Sequence, residues 1–155
     1  MHRIRIYLAL TPVTRAAIWR EKITLYRAES PGLTLQQRAA LDRIEQYTSD
    51  TNRFDLERAA RPSAQKELDA LGKMVSASFG VEEAYLLIGT LGPAHNTVAR
   101  NEKAAADCHC NVGSAVSGCS ADFSWFCYSG SSCSPSSTGC GYLWLQRCNG
   151  ICKKW

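Results

Sequence analysis

Cysteine is missing from residues 1–107 of this 155-residue chain. All eight cysteines come after that point: Cys108, Cys110, Cys119, Cys127, Cys133, Cys140, Cys148 and Cys152. The tail that holds them, 107–155, is in turn short of aliphatic side chains, with only Val112, Val116, Leu143, Leu145 and Ile151. A segment of roughly 50 residues is marginal even with an ordinary apolar content, so this one needs covalent support. No apolar run approaches the roughly 20 residues that span a bilayer as a helix. The formal net charge of +4 is spread along the chain, without the concentrated basic patch of a nucleic-acid binder. A Ser/His/Asp motif, a phosphate-cradling glycine loop and a helical His-Glu-x-x-His are all lacking, so no catalytic residue is expected and the chain reads as a non-enzyme. No 20–50-residue repeat of the solenoid kind is present.

What is there is an even number of cysteines in a short segment, the pattern of a disulfide framework. Each native bridge contributes about 2–4 kcal/mol, chiefly by constraining the unfolded chain. Cys108 and Cys110 are too close in sequence to bridge each other comfortably, so they are expected to staple two different strands. Eight cysteines allow 105 connectivities, and spacing does not choose among them. Structural zinc needs two ligand pairs at two- to four-residue spacing. Only Cys148 and Cys152 fit, so no metal and no cofactor are expected. A second rival chemistry is dehydration of Ser and Thr followed by thioether closure, which the same Ser, Thr and Cys richness would serve.

The region before the tail reads as helical. Arg3–Leu8 is either a short strand or the lead-in to a helix. Thr11-Pro12 is a helix start, and Ala16, Trp19, Ile23 and Tyr26 then share one face before Ser30-Pro31-Gly32 stops it. Thr34 and Gln37 form a capping-box pattern, opening a helix with Leu41, Ile44 and Tyr47 or Thr48 on its apolar side. Phe54–Arg61 is a short helical piece closed by Pro62. Ser63 is a candidate cap for a helix whose stripe is Leu68, Leu71, Val75 and Phe79, ended by Gly80. Val81–Leu91 is a last apolar helix, ended by Gly92-Pro93. The spacing therefore predicts an all-α region over 1–92. Residues 93–106 form an exposed linker whose end, Ala104, Ala105, Ala106 and Asp107, is a cleavage region. His2, Arg3 and Arg5 precede an apolar run, Ile6–Leu10, that is too short for a secretory h-region, so no standard signal peptide is recognised although disulfides imply an oxidising destination.

In the tail, Asp122–Phe126 and Tyr142–Leu145 have the aromatic character of short strands, while runs such as Ser136-Ser137 favour turns. The fold class expected is α+β in two parts, an N-terminal helical region followed by a small disulfide-rich loop/β module over 107–155. Phe123, Trp125, Phe126, Tyr128, Tyr142, Trp144 and Trp155 divide between a small core and exposed contacts. Trp125, Phe126, Trp144, Lys153, Lys154 and Trp155 are the candidate membrane or target contacts. His2 and His95 read as bystanders and His109 as a loop residue.

Ala106-Asp107-Cys108-His109-Cys110, Thr138-Gly139-Cys140-Gly141 followed by Trp144, and Cys148-Asn149-Gly150 together resemble the fulvocin C-related bacteriocins. The resemblance covers roughly Ala106–Gly150, with a fainter likeness over Leu25-Tyr26, Pro31 and Leu35–Arg38. The chain departs from that pattern in its longer Cys110–Cys119 loop and in Cys148 and Cys152, which bracket Asn-Gly-Ile, so no bridge pattern is carried over. The resemblance implies a secreted antibacterial peptide at 107–155, released from a helical propeptide. The partners it implies are a processing protease, export machinery and the envelope or membrane of a target cell; no nucleic acid is expected. The alternative is a non-toxic disulfide-stapled interaction module carried permanently on the helical domain, or a thioether-cross-linked precursor.

Overall fold

A computed structural model describes residues 2–91, 107–114, 116, 119, 124–129 and 133–155. The linker 93–106 with Ala104, Ala105 and Ala106, and also Phe123 and the His2 side chain, lie outside what is described.

The helical region begins at once. α1 spans His2–Ala9, so the ambiguous opening resolves as a helix with Tyr7 buried. α2 runs Pro12–Glu29; Thr11 Oγ1 accepts from the Thr14 amide at 3.2 Å, and Pro12 supplies a preset φ at the first position. α3, Leu35–Ser49, carries the full capping box, each of Thr34 and Gln37 satisfying the other's amide. A 3-10 turn at Thr51–Phe54 and the single-turn α4, Leu56–Ala59, lead to α5, Pro62–Phe79. Ser63 is not the cap of α5. Pro62 already occupies the first helical position and Arg61 sits at the cap without a side-chain bond. Gly80, at φ 83°, ends α5, and α6, Val81–Ala84, continues into a π turn at Tyr85–Gly89.

That π turn leaves carbonyls to be satisfied. Lys22 of α2 reaches across and donates to Leu86 O and Thr90 O, with its ammonium 5.3 Å from the centre of the Trp19 ring. Burial pushes its pKa down to about 8. A folded chain that gives up this proton near 8, and an unfolded one that keeps it to 10.5, differ most between those values. The unfolded state binds more protons there, so stability rises with pH. We expect the denaturant midpoint without reductant to rise between pH 8 and 9 by the equivalent of about 1 kcal/mol, and the rise to vanish in Lys22→Met. Above pH 10 the trend reverses, because burial holds the Tyr7, Tyr26, Tyr47 and Tyr85 phenols protonated beyond their ordinary 10.0.

The described strands of the cysteine-rich part form two small antiparallel ribbons. β1 (Trp125–Ser129) pairs with β4 (Gly150–Lys154), and β2 (Ser136–Cys140) pairs with β3 (Gln146–Cys148) through an irregular register. The serine run at 136–137 is thus a strand, because pairing with β3 outweighs local hydroxyl competition. Asp107 and Cys110 lie in isolated bridges to Ser134 and Gly150, which seats the start of the module between the ribbons. The two-part α+β layout holds.

Tyr142–Leu145 is not a strand. It is a 3-10 turn at Tyr142–Trp144 followed by Leu145, with Leu143 and Trp144 at φ 52° and 53°, and all four side chains are buried. They join Tyr7, Trp19, Leu68, Leu71 and Leu87 in one continuous core. An apolar run at the tip of a ribbon can bury every side chain at once only by curling into a pocket, and here the helices supply that pocket. The tail therefore makes up its shortage of aliphatics in two ways, by disulfides and by borrowing a core.

Candidate functional site

All eight cysteines are paired: Cys108–Cys133, Cys110–Cys127, Cys119–Cys152 and Cys140–Cys148. As expected, Cys108 and Cys110 go to different partners. The sulfurs gather in two groups. Cys108, Cys133, Cys140 and Cys148 form one, and Cys110, Cys119, Cys127 and Cys152 form the other, against Trp125. Cys148 and Cys152, the pair at metal-ligand spacing, belong to different groups. The sulfurs of Cys110, Cys119 and Cys152 do lie within 4.8 Å of one another, but each is committed to a bridge. Disulfide pairing also leaves no cysteine for a thioether.

Between the ribbons, polar side chains tie the backbone. Asn111 Nδ2 donates to Arg147 O at 2.7 Å, and Asn149 Oδ1 accepts from the Val112 amide at 2.7 Å. His109 is a loop residue that ties the module's start to β4, where its Nε2 accepts from the Cys152 amide at 3.2 Å. That bond requires an unprotonated Nε2, hence a proton on Nδ1, which faces Asp107 O at 3.4 Å.

The candidate contact residues separate into three places. In the β1–β4 ribbon Phe126 lies opposite Lys153 and Trp125 opposite Lys154. Paired residues of an antiparallel ribbon share a face, and neighbours along a strand alternate. Phe126 and Lys153 therefore fall on one face with Tyr128, and Trp155 joins them. The Phe126 and Trp155 rings are 4.3 Å apart, the Lys153 ammonium stands 4.0 Å from the centre of the Tyr128 ring, and Trp155 is 83% exposed. Trp125 and Lys154 fall on the opposite face, where Trp125 packs on the sulfurs.

Trp144 is elsewhere, inside the helical region. Its ring meets Tyr7 edge-to-face at 5.2 Å and Trp19 at 6.0 Å, and its indole N–H donates to Gly89 O at 3.1 Å. Trp19 Nε1 donates to Tyr7 Oη, which in turn donates to Leu143 O at 3.3 Å. Gln65 Nε2 donates to Leu145 O at 2.8 Å. Tyr142 lies flat against Gly72 of α5, where a Cβ would stand 2.1 Å from the ring. At the base of the turn Gly141 has φ 65°, and the Gln146 side chain folds over it to accept from the Tyr142 amide at 3.0 Å. Cys140–Cys148 closes the ribbon beneath. Asp107, the last residue of the proposed cleavage region, is exposed and pairs with Arg5 at 3.4 Å.

Of the groove residues, sequence reasoning placed Trp19 on the apolar face of α2 but did not single out Tyr7, Gln65, Gly72 and Gly89. One signal was available: Gly72 follows Leu71 and precedes Val75 on the buried side of α5, where a helix interior favours alanine over glycine unless something must come close. Comparison of the chain with family models, with curated proteins and with solved structures finds no match to any of them.

Proposed function

We propose that the chain is the precursor of a secreted antibacterial peptide of the fulvocin C-related kind, residues 107–155, carried by a helical propeptide, 1–92, and released by cleavage in 93–106. The observation that carries this reading is the compositional break. Every cysteine, and every bridge, falls on one side of residue 107, so scission of the linker cuts no disulfide. The active part acts on the envelope of a competing cell, and it is not an enzyme. A processing protease and export machinery are its other partners.

The exposed face of Phe126, Tyr128, Lys153 and Trp155 supports the envelope as target. Aromatic rings with a cation beside them suit the interface of an anionic bilayer. No helix among the described residues is long and apolar enough to cross a membrane, so the contact would be interfacial. A lysine near an anionic surface contributes about 1 kcal/mol. Lys153→Ala is therefore expected to weaken binding to vesicles containing anionic lipid by roughly fivefold, with no change on purely zwitterionic vesicles. Equal binding of the variant and the parent to anionic vesicles would remove this face from the account.

Intact mass of secreted material, before and after reduction, tests the precursor reading itself. The expected product starts within 104–107 and gains two hydrogens per bridge on reduction. A stable 17.1 kDa chain in the medium, uncleaved and active, would favour the second reading, a module carried permanently on its helices. That reading has a specific observation behind it, the burial of Tyr142–Leu145 in the helical core.

A further inference from the structure

We propose that the helical region is itself a binding protein for the Tyr142–Leu145 turn, and that after the linker is cut it holds the cysteine-rich module in trans and antagonises it. The proposal rests on the precursor reading for its biological setting, but the binding does not.

Every described contact between turn and groove is non-covalent and is made by the helical region itself. Tyr142, Leu143 and Leu145 are at most 1% exposed, and Trp144 is 8% exposed. Aromatic side chains seated in desolvated pockets are the residues that dominate protein–protein affinity. Two of them stand here side by side, Tyr142 in the Gly72 notch and Trp144 between Tyr7 and Trp19. The polar bonds are arranged as in an interface: Tyr7 and Gln65 donate to turn carbonyls, and Trp144 donates back to Gly89 O. The Leu143 and Leu145 carbonyls of the turn thus find partners on the helices.

The turn is also held in shape by its own module. The Cys140–Cys148 bridge, the left-handed Gly141 and the Gln146 side chain fix its base. A ligand already rigid in its bound form loses little conformational freedom on binding, so release and recapture exchange one ordered turn between solvent and groove. A free module exposes four consecutive apolar side chains. The groove between α1, α2 and α5 is shaped to match them, so each helical region released with a peptide is a ready antagonist of it.

The test uses the oxidised full chain with a specific protease site placed in 93–106. After cutting, the halves are expected to co-elute in size exclusion at micromolar concentration. Trp144→Ala is expected to weaken the complex at least about 30-fold and separate them. Gly72→Ala is expected to do the same by lifting Tyr142. Should either variant fail to fold, Gln65→Ala removes the bond to Leu145 O at the groove's edge, together with one to Ala59 O within the helical region, and is expected to weaken the complex by up to about tenfold. Far-UV circular dichroism and bridge mapping verify the parts. Separation of the wild-type halves with helix content and bridges intact overturns the proposal, as does wild-type affinity in every folded variant. Because the cut is engineered, neither result depends on natural processing or on killing activity, which the mass of secreted material addresses separately.

Discussion

Trp144→Ala is expected to lower the unfolding free energy of the helical region by about 3–5 kcal/mol, even though residue 144 is in the cysteine-rich part. The indole fills the space between Tyr7 and Trp19 and satisfies Gly89 O. Truncation removes the transfer energy of a large buried side chain, leaves a cavity at the junction, and strands a carbonyl at the end of the π turn. Collapse cannot repair the cavity cheaply. Trp19 is fixed through Tyr7, and Leu143 and Leu145 on either side of the lost ring are themselves fully buried.

Trp144→Phe separates these causes. It keeps most of the packing and loses the N–H bond, so a smaller cost of about 1–2 kcal/mol is expected. The measurement is a denaturant titration of the full chain without reductant, followed by far-UV circular dichroism, which reports helices and is nearly blind to the small ribbons. A midpoint unchanged by the alanine substitution means that the core does not cross between the two parts. In that case the groove has no energetic content.

The sequence was most legible where structure is decided locally. The Thr11 and Thr34 caps, the Pro12 start and the Gly80 stop each depend on residues within one turn, and they stand where the pattern put them. The stripe through Leu68, Leu71 and Val75 found its buried face for the same reason. Ser63 misled because Ser and Pro compete for the same helix start, and proline at the first position settled it two residues earlier.

The tail was less legible because its decisions are long-range. Tyr142–Leu145 has strand-like composition, and over four residues nothing in the pattern distinguishes a strand from a buried turn. Its partners lie more than 50 residues back, at Gly89, Gly72 and Tyr7. Grouping Trp125 with Phe126 and Lys153 with Lys154 as contact candidates ignored the pleat, which sends neighbours to opposite faces. The bridge pattern was beyond reach in principle, apart from the inference that Cys108 and Cys110 go separate ways.

The second large effect is expected at Cys119–Cys152. This bridge spans 33 residues, the longest of the four separations, while Cys140–Cys148 spans 8. Loop-closure entropy alone gives about 3.7 kcal/mol for the first and about 2.5 for the second. The loops overlap, so each figure is an upper estimate, but the order is reinforced by what surrounds each bridge. Cys140 and Cys148 flank a turn already held by Gln146, by the Gly141 backbone and by the helical groove. Cys119 belongs to neither ribbon, and its bridge is what ties it to β4, where Trp125 and Cys127 pack beside it. The Cys119→Ala/Cys152→Ala pair is therefore expected to lose about 2–4 kcal/mol and the Cys140→Ala/Cys148→Ala pair clearly less. Alanine is the right replacement, because a serine hydroxyl at these buried positions would need a partner. Near-UV circular dichroism during denaturation without reductant reads the aromatic packing of the module directly. The reverse order would mean that the β2–β3 ribbon holds the turn by its bridge and not by the groove. Without the bridge, the turn would then lose the fixed shape that lets the helices recognise it.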